Sequence, residues 1–145
     1  MAAIVKELTI AADPKRVYNA LTQQEELARW WTNDLSTRPE VGSLAEFRFR
    51  EGAFVLPLEI VELDAEKKVS WKSHQNNAGW AGTSISWQLT PTQGGTQLLF
   101  VHDGFAGIDA ACEQIRGTWE YFLGSLQAYL ETGKGTPGAP SPARG

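Results

Sequence analysis

The stretch from Asp109 to Thr132 constrains this 145-residue chain more than any other. Ile115, Trp119, Phe122, Leu126 and Tyr129 recur at spacings of 4, 3, 4 and 3, and Leu123 and Leu130 widen the same stripe. That period predicts one long amphipathic helix over 109–132. Asp109 is the expected N-cap and Gly133 the expected terminator. A helix this long, roughly 35 Å at 1.5 Å per residue, needs a broad apolar partner.

The partner lies upstream, where the period is two. Residues 6–11, 43–50, 54–63, 67–74, 79–89 and 96–105 alternate apolar and polar and predict six strands. The turns between the last five are short: Glu51-Gly52, Asp64-Ala65-Glu66, Asn76-Asn77 and Gln93-Gly94-Gly95. Connections this short make neighbours antiparallel, because a parallel crossover takes a dozen or more residues. Pro57 inside one strand predicts an edge position or a bulge. Between the first and second strands two short helices are expected. Asp13-Pro14 opens the first, with Val17, Ala20 and Leu21 on one face, and the second runs from Gln23 to Trp31. Residues 33–42, with Pro39 and Gly42, read as a loop.

The expected fold is therefore α+β: a curved six-stranded antiparallel sheet wrapped around the long last helix, with two short helices after the first strand. Residues 1–132 form one domain. Residues 133–145, GKGTPGAPSPARG, are expected to be a flexible tail.

Composition excludes several classes. The net charge is −4, and no run of Lys or Arg supplies a nucleic-acid surface. Arg48 and Arg50 alternate with Phe47 and Phe49 and read as the wet face of a strand, with Glu46 pairing Arg48. One cysteine, Cys112, forms no internal disulfide and reads as a small packed residue. There is no signal-peptide pattern and no apolar run of membrane-span length, so a cytoplasmic bacterial-type protein is expected. Two histidines, His74 and His102, at no ligand spacing predict no metal site, and no phosphate loop or nucleophile elbow predicts a cofactor. From Ser73 to His102 the chain carries no Lys, Arg, Asp or Glu. That uncharged region either is a neutral polar surface or packs against a second subunit as a homodimer.

Alternation sorts the strand residues into faces. Phe47 and Phe49 point inward from the second strand. Trp71 and Ser73 do so from the fourth. Thr83, Ile85 and Trp87 follow from the fifth, and Leu98, Phe100 and His102 from the sixth. Trp119 and Phe122 face them from the long helix, and Trp30 and Trp31 close over the mouth. Trp80 has the opposite parity and is expected outside. Such a lining, aromatic with a few polar atoms, suits a small, mainly apolar ligand.

The opening LTIAADPKRVYNALTQQEELARWW resembles the start of SRPBCC proteins, the START-like, birch-pollen-allergen-like superfamily. More narrowly, it resembles the branch named for activators of the heat-shock-protein-ninety ATPase. GGTQLLFVHDGF is similar to that branch's last strand, and WEYFLGSLQAYLETGKG to its closing helix. The resemblance covers roughly residues 3–135 and makes Trp30, Trp31, His102, Gly104, Trp119 and Leu126 motif positions. It implies a helix-grip fold with a hydrophobic cavity between sheet and helix, and it carries no common catalytic set. The expected function is binding of a small hydrophobic or aromatic ligand. Two alternatives stay open. One is a cyclase- or hydrolase-like enzyme with His102 as its weak catalytic candidate. The other is a co-chaperone or interaction protein, although the additional chaperone-binding domain of the eukaryotic relative is not expected here.

Overall fold

The computed structural model describes residues 2–32, 34–49, 54–73, 82–105 and 110–135. The element order is β1 (Ala2–Ile10), α1 (Pro14–Thr22), α2 (Gln24–Trp30), β2 (Asp34–Ser36), β3 (Leu44–Phe49), β4 (Phe54–Asp64), β5 (Lys68–Lys72), β6 (Ser84–Thr92), β7 (Gly95–Phe105) and α3 (Ala110–Thr132). The strands form one antiparallel sheet in the order β1-β7-β6-β5-β4-β3-β2.

Among the described residues the sheet has seven strands, not the six expected. The addition is β2, inside the stretch read as a loop. Three residues are too few to show a period. Asp34, Leu35 and Ser36 become a strand by pairing with Arg48, Phe47 and Glu46 of β3. Leu35 is buried, and Arg48 clamps the pair by donating to Asp34 Oδ1 at 2.8 Å, Ser36 Oγ at 3.0 Å and Glu46 Oε1 at 2.9 Å. Arg48 is thus bonded to β2 and not simply solvated.

Pro57 also differs from expectation, since β4 lies between β3 and β5. The bulge comes at Ile60/Glu62. Ile60 donates its N–H to Ser43, so Leu58 bonds toward β3 and Pro57 turns toward the β5 side. The described β5 ladder ends at the Glu59–Lys72 pair, two residues before Pro57 is reached.

The helices start and stop as their sequence dictates. Asp13 Oδ1 accepts from Arg16 N at 2.9 Å, and Pro14 occupies the first turn of α1. Gly133 ends α3 at φ +88, and its N–H bonds the Tyr129 carbonyl at 2.8 Å. A side chain at this position would be strained in the left-handed region, which is why glycine serves here.

The sheet's inner face is buried against α3. Ile4, Ile10, Leu56, Leu58, Val69, Ile85 and Leu98 meet Trp119, Phe122, Leu123 and Leu126 in one apolar cluster. The helix is held along β1 by polar contacts at its rim. Lys6 pairs with Glu120, Gln127 donates to the Thr9 carbonyl at 3.1 Å, and Glu131 accepts from Ala11 N at 3.0 Å. Ser125 Oγ donates to the carbonyl of Trp30 at 2.7 Å, which ties α2 to the middle of α3. Asp109, the Glu51-Gly52 and Asn76-Asn77 turns, His74, Trp80, residues 136–145 and the side chains of Phe49 and Cys112 lie outside the described residues.

Candidate functional site

The candidate site grows from four strands, the end of α2 and the middle of α3. Alternation along β5, β6 and β7, continued by Ser73 just after β5 and Thr83 just before β6, turns Trp71, Ser73, Thr83, Ile85, Trp87, Leu98, Phe100 and His102 inward, and all are buried. Phe47 joins them from β3, and Trp119 and Phe122 from α3. Trp30 and Trp31 were expected over the mouth of a pocket. They are buried instead, at 0% and 2% exposure.

Trp31 is the wedge. It follows the last residue of α2 and stands 4.2 Å from Phe47, 5.3 Å from Trp119 and 5.7 Å from Trp71, ring centre to ring centre. Trp30 stacks on it at 5.8 Å, and the Trp30 indole donates to the Ala20 carbonyl at 2.8 Å. These distances are those of rings in direct contact. The space between sheet and helices at this end therefore holds side chains in mutual contact. The reason is local. Two consecutive tryptophans at a helix end cannot both lie on one helix face, so the chain turns the second ring inward as α2 ends.

Trp87 sits behind Trp31 at the centre of the sheet. Its ring is 4.7 Å from Phe100, 5.5 Å from Trp71, 5.7 Å from Trp119 and 6.0 Å from Trp30. Its Nε1–H is buried and finds no hydrogen-bond partner among the described residues. An unpaired buried donor costs about 1–3 kcal/mol, so this atom sets Trp87 apart from Trp30 and Trp119, whose indoles both donate.

His102 is fully buried, and both its ring nitrogens are engaged. Trp119 Nε1 donates to Nδ1 at 3.1 Å, and Nε2 lies 2.9 Å from Thr83 Oγ1. An indole nitrogen can only donate, so Nδ1 must carry the lone pair. The proton then sits on Nε2 and is donated to Thr83. Burial lowers the pKa to about 3 and keeps the ring neutral. With Nδ1 already accepting, His102 offers no open base, and its role in this geometry is to brace β6, β7 and α3 against one another. Gly104 helps place Thr83 beside it. A Cβ at Gly104 would meet the Gly82 carbonyl oxygen at 3.0 Å and Thr83 Cα at 3.1 Å, and its φ is +97.

Among the described residues no group of three His, Cys, Asp or Glu side chains could hold a metal ion. No described helix is long and apolar enough to cross a membrane.

This arrangement has known counterparts. The profile of the family described as Activator of Hsp90 ATPase homolog 1-like protein matches residues 11–131. The chain belongs to this family. The solution structure of the Aha1 dimer from Colwellia psychrerythraea is similar over 93% of this chain and 100% of its own, with 34% identity and a TM-score of 0.85. SSP2350 from Staphylococcus saprophyticus shares the fold at 21% identity and a TM-score of 0.80, covering 95% of this chain and 98% of its own. DynU16, from the dynemicin biosynthetic locus, shares it at 22% identity and a TM-score of 0.76, over 92% of this chain and 48% of its own. A search of curated proteins finds no match. The motif positions expected from the activator family, Trp30, Trp31, His102, Trp119 and Leu126, all meet in the buried centre.

Sequence reasoning anticipated the inward faces but missed three features of the site. It gave no sign that Trp119 would satisfy His102. It did not separate Trp87 from the other tryptophans. It also placed Trp31 over the mouth of a pocket and not within the packed centre, because parity says nothing about a residue where a helix ends.

Proposed function

We propose that this chain binds a small, planar, largely aromatic molecule between the sheet and α3, anchored by a hydrogen bond from Trp87 Nε1–H. The carrying observation is that buried indole N–H, without a hydrogen-bond partner among the described residues, inside a shell of aromatic rings. A ligand carbonyl or ether oxygen would satisfy the donor, and ring stacking would supply most of the affinity. Room is made by displacement of Trp31, the ring carried where α2 ends. His102 keeps its bonds to Trp119 and Thr83 and shapes the wall without taking a proton, so the geometry favours binding over catalysis.

Native mass spectrometry of freshly purified protein looks for a retained molecule. Titration with flavone, a planar aromatic ketone, follows tryptophan fluorescence. Saturable quenching is expected, weakened about tenfold in Trp87→Phe, as for a lost hydrogen bond of about 1.4 kcal/mol. Neither adduct nor saturable quenching would overturn the proposal.

A second reading is self-association. It is supported by the Colwellia relative, which is described as a dimer and is 34% identical along nearly the whole chain.

A further inference from the structure

The register of the sheet lays three outward rows across four strands. They run Glu7–Leu99–Gln88–Lys68, Val5–Val101–Ser86–Ser70 and Ala3–Asp103–Ser84–Lys72, each in the order β1-β7-β6-β5. The middle of this face is small and neutral. Among the described outward positions of β6 and β7, Asp103 alone is charged. Val5, at 55% exposure, extends the apolar centre made with Val101. The charges sit at the sides: Glu7 on β1, Lys68 and Lys72 on β5.

We infer that this face is a homodimer interface, with a two-fold axis running along the strands between β6 and β7. The inference rests on the self-association reading above. Such an axis lays β7 of one copy over β6 of the other, and β1 over β5. The outcome is self-complementary, as a two-fold interface must be. Glu7 meets Lys68 of the second copy, Asp103 comes near Lys72, and Val5 and Val101 cover Ser70 and Ser86. The acidic residues of β4, Glu59 and Glu62, fall beyond the second copy's edge. Serine at the centre lets two sheets approach to the usual ~10 Å. Lys68 already pairs with Glu62 of its own chain at 3.3 Å, but both side chains are well exposed, so that pair exchanges readily. An axis across the strands would instead lay β5 over β5 and set Lys68 and Lys72 against their own copies. Four strands at ~4.8 Å and five residues at ~3.4 Å give roughly 300 Å2 in projection, which suits a weak dimer in exchange with monomer.

Sedimentation velocity on the full chain, over a range of concentrations and at low salt, tests this. Wild type is expected to shift from monomer to dimer as concentration rises. Ser86→Arg, on an outward position, is expected to remain monomer at the same concentrations with an unchanged melting curve. Lys68→Glu is expected to weaken association at least tenfold, and the swap Glu7→Lys with Lys68→Glu to restore it. A wild type that stays monomeric would sink the self-association reading and this interface with it. A wild-type dimer left intact by Ser86→Arg and by Lys68→Glu would keep self-association and place it on another surface. A swap that fails to restore association would overturn the two-fold axis.

Discussion

The indole N–H of Trp119 ends on Nδ1 of His102, 3.1 Å away, and this contact decides what the histidine can do. It fixes the Nε2–H tautomer, sends the remaining proton to Thr83, and joins α3 to the two central strands β6 and β7. Trp119→Phe keeps an aromatic ring but leaves Nδ1 a buried acceptor without its donor. Trp87→Phe removes the same atoms from an N–H that has no partner among the described residues. Trp119→Phe is therefore expected to destabilise more than Trp87→Phe, by about 1–2 kcal/mol. Urea denaturation of both variants checks this, and equal losses would show that the contact contributes nothing.

The burial of His102 predicts a pH dependence with a definite sign. Its folded pKa, about 3, lies below the ordinary value of 6.5. The unfolded chain therefore binds the proton first. The contribution is fully present above pH ~6.5 and is lost as pH falls toward 3, with a slope approaching 1.4 kcal/mol per unit. Between pH 7 and pH 5 the wild type is expected to lose about 2 kcal/mol more than His102→Gln. Parallel stability curves for the two proteins would contradict a buried neutral imidazole.

Gly104 stands two residues from His102, in the left-handed region and against the backbone of Gly82 and Thr83. Gly104→Ala adds a Cβ that both the φ angle and the 3.0 Å approach disfavour. A loss of about 1–3 kcal/mol is expected by thermal or urea unfolding. The NMR signals of Thr83 and His102 should move in the same variant. A neutral substitution would mean that β6 and β7 separate freely there.

The clamp from Arg48 to Asp34 and Ser36 lies at the sheet's far edge, partly exposed. Arg48→Ala is expected to leave global stability nearly unchanged, as for an exposed ion pair. Its effect should instead be local. Hydrogen exchange at Asp34–Ser36 is expected to speed up while β6 and β7 keep their protection. Unchanged exchange at β2 would show that strand pairing alone holds it.

The sequence by itself determined the antiparallel strands β3 to β7, the two short helices and the extent of α3. Those elements declare themselves by period, because burial on one face repeats every second or every 3.6 residues. The same parity placed Thr83, Trp87, Phe100 and His102 on the inner face before any coordinates. Tertiary structure alone decided the rest. The strand β2 exists through its pairing with β3. Pro57 sits in an interior strand, and the bulge falls at Ile60/Glu62 and not at the proline. Trp31 turns inward because a helix ends beneath it. Trp119 satisfies His102 while Trp87 Nε1 finds no partner among the described residues, although all three lie on faces that the period predicts equally well. Period records which face of an element is buried. It carries no record of which atom on a distant element will stand 3 Å away, and hydrogen bonds are decided at that scale.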